Sequence, residues 1–159
     1  MRMTIVAVGK VRERYLRDGI AEYLKRLGRF AAVTIVEVAE DPAPETLSAA
    51  EQARVKAREG ARLLHAVREG PYVIALDLAG APLSSAAFAA HLQSLAVGGR
   101  ADVALLIGGS LGLDAAVLAR ADLRLSLGPL TYPHQLVRLI LLEQLYRAMT
   151  INARHPYHK

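Results

Sequence analysis

The sequence predicts an α/β fold with a mainly parallel sheet and helices on both faces. Short β-branched runs alternate with longer amphipathic segments along the chain, which is the order that crossover units require. Several of the short runs end at glycine, where a strand can turn into the next connection. The chain has 159 residues, 53% of them hydrophobic, and neither a repeat nor a long linker. We therefore expect a single domain over residues 1–159.

The first half of the chain predicts two strands and two helices. A β-branched run at residues 4–8 closes at Gly9, and residues 33–38 form a second such run. Residues 12–29 have an apolar stripe opposite a row of cations, which indicates a helix whose charged face meets either solvent or RNA. After an acidic loop with two prolines, residues 48–67 predict the second helix.

The second half continues the alternation. Residues 72–77 are almost entirely apolar, as in a strand covered on both faces, and residues 78–80 are expected to turn away. Ser84 or Ser85 can cap a third helix. The remaining elements are a strand at 103–107, a short helix at 114–120 and a strand at 123–127.

The last predicted helix, residues 135–152, is apolar nearly all the way round. One side can pack on the sheet, and the opposite side needs a second cover. A twin subunit is our preferred cover, because exposed apolar area usually marks an interface and two-fold dimers are the commonest assembly. The alternative is a central helix wrapped within a monomer.

Glycine-rich loops follow three of the predicted strands. They begin at Leu76, at Gly108 and at Leu127. Because parallel sheets bind ligands at the carboxyl ends of their strands, these loops can form one cleft. The sequence of residues 108–112 matches neither a dinucleotide fingerprint nor a phosphate loop, and a glycine there can also be only a turn. These loops alone predict a small-molecule site of unspecified chemistry.

Charge points to a nucleic-acid partner. The formal net charge is +5, and the cations concentrate in the first thirty and the last twenty-seven residues. No apolar run is long enough for a membrane span and the start lacks a signal-peptide pattern, so we expect a cytoplasmic protein with no membrane partner. The chain has no cysteine, and its histidine spacing does not suggest a metal site.

Glu143 and Arg147 form a charge pair on the otherwise apolar last helix. At a spacing of four residues they can be an ordinary surface ion pair. A charge pair in such apolar surroundings can equally be organised for function, because buried charges are costly unless they are paired.

Several groups of residues resemble the motifs of the RlmH family, which are SPOUT-class methyltransferases of the bacterial ribosome. These groups are Ala7-Val8-Gly9-Lys10, Ala21-Glu22-Tyr23, residues 105–113, Thr131-Tyr132-Pro133-His134-Gln135, Arg138, Glu143-Gln144, Tyr146-Arg147-Ala148, and His155-Pro156-Tyr157-His158-Lys159. The resemblance covers essentially the whole chain. It implies a trefoil-knotted C-terminal region, a homodimer, and transfer of a methyl group from S-adenosylmethionine to N3 of a pseudouridine in 23S ribosomal RNA of the assembled ribosome.

The resemblance also assigns roles to individual residues. It implies catalytic roles for Glu143, Arg147, Tyr157 and His158, in an active site that can be shared between two subunits. It implies RNA contacts for Arg154 and Lys159. The implied cofactor-binding residues are Leu76, Gly108, Leu127, Gly128, Pro129, Leu130, Thr131 and Tyr132. Which residue is the general base stays open, and the last residues could instead form a frayed terminus.

Two rival functions remain open. The first is a non-catalytic RNA-binding dimer with the same fold, which would bind RNA but not the cofactor. The second is a methyltransferase of the same class that acts on transfer RNA.

Overall fold

The structure, a computed structural model, describes residues 1–158. Strands and helices alternate through this part of the chain, as the sequence predicted. In chain order the elements are β1 (Arg2–Val8), α1 (Arg14–Leu27), β2 (Ala32–Val38), α2 (Ala49–Ala66), β3 (Tyr72–Pro82), α3 (Ser85–Val97), β4 (Asp102–Ile107), α4 (Ala115–Arg120), β5 (Leu123–Ser126) and α5 (His134–Asn152).

The five strands form one sheet in the order β2-β1-β4-β3-β5. Every neighbouring pair is parallel, which confirms the predicted sheet. Because all strands point the same way, their carboxyl ends lie along a single edge. The loops that begin at Gly108 and Leu127 therefore leave the sheet on the same side.

Alternating side chains divide the core into two layers. In β1, Met3 and Ile5 pack into the larger cluster, which α1, α3 and α5 also supply. Val6 and Val8 point to the opposite face and pack into the smaller cluster with residues of α2 and α4. Strand side chains alternate with a period of two, so one strand supplies both layers. The prediction of helices on both faces is confirmed.

Side-chain caps fix where three helices begin. Ser48 and Glu51 form a reciprocal capping box at the start of α2. The Ser84 hydroxyl accepts from the Ala87 amide at 3.1 Å, so Ser84 rather than Ser85 caps α3. Asp114 caps α4 through the Ala116 amide.

The expected turn at residues 78–80 is wrong. β3 continues to Pro82, and after a register shift Ala81 and Pro82 pair with Leu125 and Ser126 of β5. The extension is possible because Gly80 has no side chain: a Cβ there would lie 2.7 Å from the backbone of Arg124. The long strand brings β5 close beside it, and that pairing positions the loop after β5.

The helix α5 packs between α1, α3 and the sheet, and each of its residues is buried or half-buried. The chain therefore covers much of α5 by itself, as the monomer alternative expected. Leu136 and Ile140 are half-buried but pack into neither core cluster of the described residues. A second copy as their cover stays a prediction, as does the knotted path of the chain.

No helix in residues 1–158 is both long and apolar enough to cross a membrane. Within the same residues, no group of three or more histidine, aspartate or glutamate side chains is arranged to hold a metal ion.

Candidate functional site

A cleft of about 410 Å³ lies at the carboxyl edge of the sheet. We call it the edge cleft. Its walls come from the middle of β3, from the ends of β4 and β5 with the loops that follow them, and from the start of α5. Six of the eight residues that the resemblance assigned to the cofactor line it: Leu76, Gly108, Leu127, Leu130, Thr131 and Tyr132.

The other two assigned residues sit differently. Gly128 lines a neighbouring cleft, described below. Pro129 lies in the same loop, but among the residues that the structure describes it lines neither cleft. Other residues outside the assigned set also line the edge cleft, including Lys56 and Asp77. The sequence had marked Asp77 as part of a predicted strand end that borders a cleft, whereas Lys56 lies within α2 and carried no such signal.

Glycine shapes the floor of the edge cleft. A Cβ on Gly108 would lie 2.8 Å from both the carbonyl carbon and the oxygen of Gly112, which is closer than any side chain can approach. Gly112 itself has a φ of +87° and donates its amide to the Gly109 carbonyl at 3.1 Å. The loop therefore folds back tightly on itself and leaves backbone exposed to the cleft.

The loop after β5 has a local hydrogen-bonded turn. The Gly128 amide donates to the Ser126 hydroxyl at 3.1 Å, and Gly128 has a φ of +106°. Beyond it, Leu130 is 66% exposed, and Leu78 across the edge cleft is 63% exposed. Large apolar side chains on the rim of a cleft gain stability when a ligand or partner covers them. The rim thus offers apolar surface to a ligand or partner.

A second cleft of about 370 Å³ lies between α3 and α5. We call it the α3–α5 cleft. It shares Leu125, Leu127 and Tyr132 with the edge cleft, so the two clefts adjoin at the end of β5 and the loop after it. Its polar side chains include Ser85 of α3 and Gln144 of α5.

The four residues that the resemblance made catalytic form one connected polar cluster. Arg147 Nε donates to Glu143 Oε1 at 3.0 Å, and the Tyr157 hydroxyl donates to the same oxygen at 3.2 Å. The guanidinium of Arg147 also lies 5.0 Å from the centre of the Tyr157 ring, and its Nη1 lies 3.4 Å from Nδ1 of His158. The ion pair at Glu143 and Arg147 is therefore one part of a larger cluster.

Hydrogen bonds and charge set the protonation of this cluster. The neighbouring Tyr23 hydroxyl, burial and the Glu143 carboxylate raise the pKa of Tyr157 far above its usual range. The hydrogen bond with Glu143 raises the pKa of Arg147. At neutral pH, Tyr157 is a neutral phenol and a donor, and Arg147 is a cation.

Gln144 connects this cluster to the α3–α5 cleft. Its Nε2 donates to Glu143 Oε2 at 2.7 Å, and its Oε1 accepts from the Ser85 hydroxyl at 2.7 Å. Exchanging the amide oxygen and nitrogen would place two acceptors, the amide oxygen and the Glu143 carboxylate, against each other, so the bond to Glu143 fixes the orientation of the amide. The polar chain thus runs from Tyr157 through Glu143 and Gln144 to Ser85.

The end of the described chain is docked against the protein and is not frayed. Arg154 has a φ of 55°, and its amide donates to the Ile151 carbonyl while the His155 amide donates to Thr150. These bonds form a Schellman motif with arginine at the position that glycine usually takes. The turn sends residues 155–158 back along α5. Lys159 lies outside the described residues.

Aromatic side chains from α1 and α5 hold the returning segment. The Tyr157 ring packs edge-on against Tyr146 at 4.7 Å between centroids, and Tyr146 in turn contacts Tyr23 and Phe30 at 6.0 Å each. The Tyr23 hydroxyl lies 3.4 Å from that of Tyr157. Edge-to-face pairs of this kind contribute ~0.5–1.5 kcal/mol each beyond buried area. The sequence placed Tyr23 on an apolar stripe and within a motif of the resemblance, but did not predict its contact with Tyr157.

Arg138, which the sequence marked only as a motif residue, is a buried clamp. Its side chain is 1% exposed and pairs with Glu37 at 2.6 Å. One guanidinium nitrogen also donates to the carbonyls of Val8 and Gly9, at 2.8 and 2.6 Å. The clamp ties α5 to the carboxyl end of β1, beside the edge cleft.

Glu59 is a second buried charge that sequence reasoning missed. It is 3% exposed, and its Oε1 accepts from the Asp41 amide at 3.0 Å. Its Oε2 has no hydrogen-bond partner within the described residues and lies against Gly109. Burial raises the pKa of the Glu59 carboxyl, and the nearby Glu40 and Asp41 add to the shift. An acidic residue within a charged helix carries no sequence signal of burial.

These features define an α/β protein with a ligand-sized cleft at the carboxyl edge of a parallel sheet. A family model described as "Predicted SPOUT methyltransferase" matches residues 1–158. Curated relatives named ribosomal RNA large subunit methyltransferase H align over 100% of both chains, at 53% identity in Alkaliphilus oremlandii (strain OhILAs), 54% in Lacticaseibacillus casei (strain BL23) and 55% in Listeria monocytogenes serotype 4a (strain HCC23). The chain belongs to the SPOUT methyltransferase family and, within it, to the RlmH family.

A solved structure supports the fold. A probable methylase family protein from Haemophilus influenzae Rd KW20 aligns with a TM-score of 0.50 at 10% identity, over 96% of this chain. This chain spans 66% of the length of that protein. At this identity the likeness establishes the α/β architecture alone.

Proposed function

We propose that this protein is an S-adenosylmethionine-dependent methyltransferase that methylates N3 of a pseudouridine in 23S ribosomal RNA of the assembled ribosome. Its relatives at 53 to 55% identity over the full length are named for methylation of large-subunit ribosomal RNA. The observation that carries the proposal is the polar cluster of Glu143, Arg147, Tyr157 and His158, linked through Gln144 to a cleft beside the edge cleft. We further propose that residues 1–159 work as a single domain.

The edge cleft fits the proposed cofactor in size and lining. A volume of about 410 Å³ lies within the range of small-molecule sites, ~300–1,000 Å³. Leucine side chains can cover an adenine ring, and the exposed backbone of Gly112, which lines the cleft, can hydrogen-bond polar atoms of a nucleoside. When bound, S-adenosylmethionine supplies an electrophilic methyl group on a sulfonium. The protein's own task is to orient the acceptor nitrogen and remove its proton.

The protonation states limit which residue can accept that proton. Tyr157 is already protonated and donates to Glu143. The Glu143 carboxylate oxygens already accept hydrogen bonds from Arg147, Tyr157 and Gln144, so these donors occupy the positions from which a further proton would approach. We propose that His158 is the general base, since imidazole is the commonest group in this role. Glu143 and Arg147 then act by holding Tyr157 and His158 in place.

RNA would meet the basic surface of the molecule. Arg14, Arg17, Lys25 and Arg29 lie exposed on or just after α1, and Arg154 lies exposed at the turn after α5. Tyr23 of α1 contacts the returning segment, so these two basic regions are neighbours. Phosphate contacts from such cations would position the ribosomal RNA without reading its sequence. Acting on ribosomes places the protein in the cytoplasm.

We propose a homodimer in which Leu136 and Ile140 of α5 meet a second copy. Both are apolar, half-buried and outside the core clusters of the described chain. They lie on the same helix face as Glu143 and Arg147, at spacings of three, four and seven residues. A partner on this face would lie beside the polar cluster, so the active site can include both subunits.

The test combines cofactor binding with methyl transfer. We expect calorimetry to detect S-adenosylmethionine binding, and we expect transfer to ribosomes from a strain that lacks the modification. His158→Gln should bind the cofactor as wild type does and lose transfer by about 10²-fold or more. RNA binding without cofactor binding would favour a non-catalytic RNA-binding dimer, and transfer to transfer RNA instead of ribosomes would favour the second rival.

A further inference from the structure

Three residues that line the α3–α5 cleft, Leu127, Gly128 and Tyr132, are also assigned to the cofactor by the resemblance, so this cleft borders the proposed donor site. It shares Leu125, Leu127 and Tyr132 with the edge cleft. In a methyl transfer the acceptor atom must come within ~3–3.5 Å of the donor carbon, in line with the breaking bond. An acceptor pocket must therefore open directly onto the donor cleft, and the α3–α5 cleft adjoins it.

The size and lining of this cleft suit a single nucleotide base. Its volume is about 370 Å³, and its apolar lining includes Leu83, Phe88 and Leu141. Enzymes that modify a base in structured nucleic acid rotate it out of the stack, pack it between apolar or aromatic side chains, and hydrogen-bond its edge. The apolar lining of the cleft can cover the ring faces of such a base.

The polar lining of the cleft can read the edge of that base. Ser85 and Gln144 are held in one orientation by their mutual hydrogen bond and by the bond from Gln144 to Glu143. Gln144 Oε1 retains one lone pair, and the Ser85 oxygen can still accept. A uracil-type ring presents ring N–H groups that such acceptors can bind. Pseudouridine has one more ring N–H than uridine, because its ribose is attached through carbon.

The same polar chain leads to the groups that would take the proton. Gln144 contacts Glu143, which contacts Tyr157 and Arg147, and Arg147 contacts His158. A base held by Gln144 would thus lie between the donor cleft and the polar cluster.

We propose that the α3–α5 cleft receives the acceptor base, extruded from the RNA, and that Ser85 and Gln144 recognise its edge. This inference rests on the proposed function and names the acceptor subsite of that reaction. Ser85 and Gln144 are then specificity-determining residues, distinct from the residues that orient or accept the proton.

The first experiment fills the cleft. Ser85 is half-buried on the lining of the cleft, and Ala86, the next residue of α3, is exposed and outside it. Ser85→Phe should leave the dissociation constant of S-adenosylmethionine within about twofold and lower kcat/KM for ribosomes by about 10²-fold or more. Ala86→Phe adds the same side chain one position away and should keep wild-type activity. Thermal unfolding of both variants checks that they fold.

The second experiment removes the recognition without filling the cleft. Gln144→Met keeps the length of the side chain and deletes its amide. We expect wild type to prefer ribosomes that carry the target pseudouridine over ribosomes whose target uridine has not been isomerised. In Gln144→Met that preference should fall about tenfold, the effect of losing one hydrogen bond of ~1.4 kcal/mol. A merely structural role of Gln144 would lower activity on both substrates equally.

The outcomes separate this proposal from the function on which it rests. If wild type transfers no methyl group to either ribosome, the proposed function fails. If wild type is active and Ser85→Phe is equally active, or if Gln144→Met keeps the full preference, the acceptor subsite is wrong and the function stands. Dissociation of a wild-type dimer by Ser85→Phe would assign the cleft to a second copy and also overturn the proposal.

Discussion

Tyr157 is held from two sides, by a hydrogen bond to Glu143 at 3.2 Å and by the Tyr23 hydroxyl at 3.4 Å. Its phenol has both donor and acceptor capacity, so it can link the two neighbours in a single chain. Residues 155–158 belong to no helix or strand. The hydrogen bonds of the Tyr157 hydroxyl and the packing of its ring against Tyr146 hold them in place. At the scale of single residues, the site depends on hydroxyl groups as much as on charges.

Tyr23→Phe tests the hydrogen-bond chain through the hydroxyls of Tyr23 and Tyr157. The substitution keeps the ring against Tyr146 and removes the hydroxyl, so we expect kcat to fall by about three- to tenfold, equivalent to ~0.5–1.5 kcal/mol. In a Tyr157→Phe background the same change should have almost no further effect, because the shared interaction is already gone. Single-turnover methyl transfer with all four proteins measures this coupling. Tyr15→Phe, on the same helix and 69% exposed, is the matched control. If the losses of kcat in the two single variants simply multiply in the double variant, the two hydroxyls do not act together.

Glu59 predicts a dependence of stability on pH. Its pKa is raised in the folded state, so the folded protein binds the proton more tightly than the unfolded chain, whose glutamate pKa is about 4.3. The stabilisation is complete below about pH 4.3 and is lost as the pH rises through the higher folded-state pKa. Glu59→Gln cannot ionise, so its free energy of unfolding should decline less over this range. Urea unfolding of both proteins between pH 4 and 8 measures it; parallel curves would show that Glu59 is not the cause.

The pairing of β3 with β5 determines where the loop after β5 lies. The extension of β3 to Pro82 pairs it with β5, and the end of β5 with the loop after it lines both the edge cleft and the α3–α5 cleft. The glycine at position 80 makes this pairing possible. A single clash in the strand should therefore disturb both clefts.

Gly80→Ala tests the extension. The new Cβ would lie 2.7 Å from the Arg124 backbone, which cannot move aside as a side chain can. We expect the free energy of unfolding to fall by ~1–3 kcal/mol and cofactor affinity to fall with it. Gly28→Ala is the control, since its Cβ would meet its nearest atom at 3.4 Å and should change stability by less than ~0.5 kcal/mol. Denaturant unfolding and calorimetry provide the measurements. Equal stability of the two variants would refute the extended pairing.

At the scale of the whole molecule, most of α5 is covered by the chain itself, but an apolar stripe of Leu136 and Ile140 lies outside the two core clusters. α5 packs within the chain along most of its surface, while Leu136 and Ile140 remain outside the core clusters of the described residues. Arg138, two residues after Leu136, is buried and clamps the opposite side of α5 to β1. The helix thus offers one face to the chain and one to the proposed second copy.

Leu136→Asp tests assembly. A carboxylate beside Ile140 would have to be desolvated in the dimer interface. We therefore expect the dissociation constant of the dimer to rise by about 10²-fold or more. Val97→Asp is the control, because Val97 is 78% exposed at the end of α3. Sedimentation equilibrium measures the mass of each protein. A wild type that stays monomeric at micromolar concentration would exclude the dimer, and an unaffected Leu136→Asp dimer would place the interface elsewhere.

The sequence by itself determined the order and type of the elements, because hydrophobic periodicity, caps and glycine stops are local signals. It also brought Leu76, Gly108 and Leu127 to one edge, since parallel strands share a direction. The tertiary structure alone decided that β3 continues past Gly80, that Glu59 and Arg138 are buried charges, and that Tyr23 meets Tyr157 from 134 residues away. These features depend on which surfaces pack together, and a contact between distant segments leaves no periodic pattern in the chain.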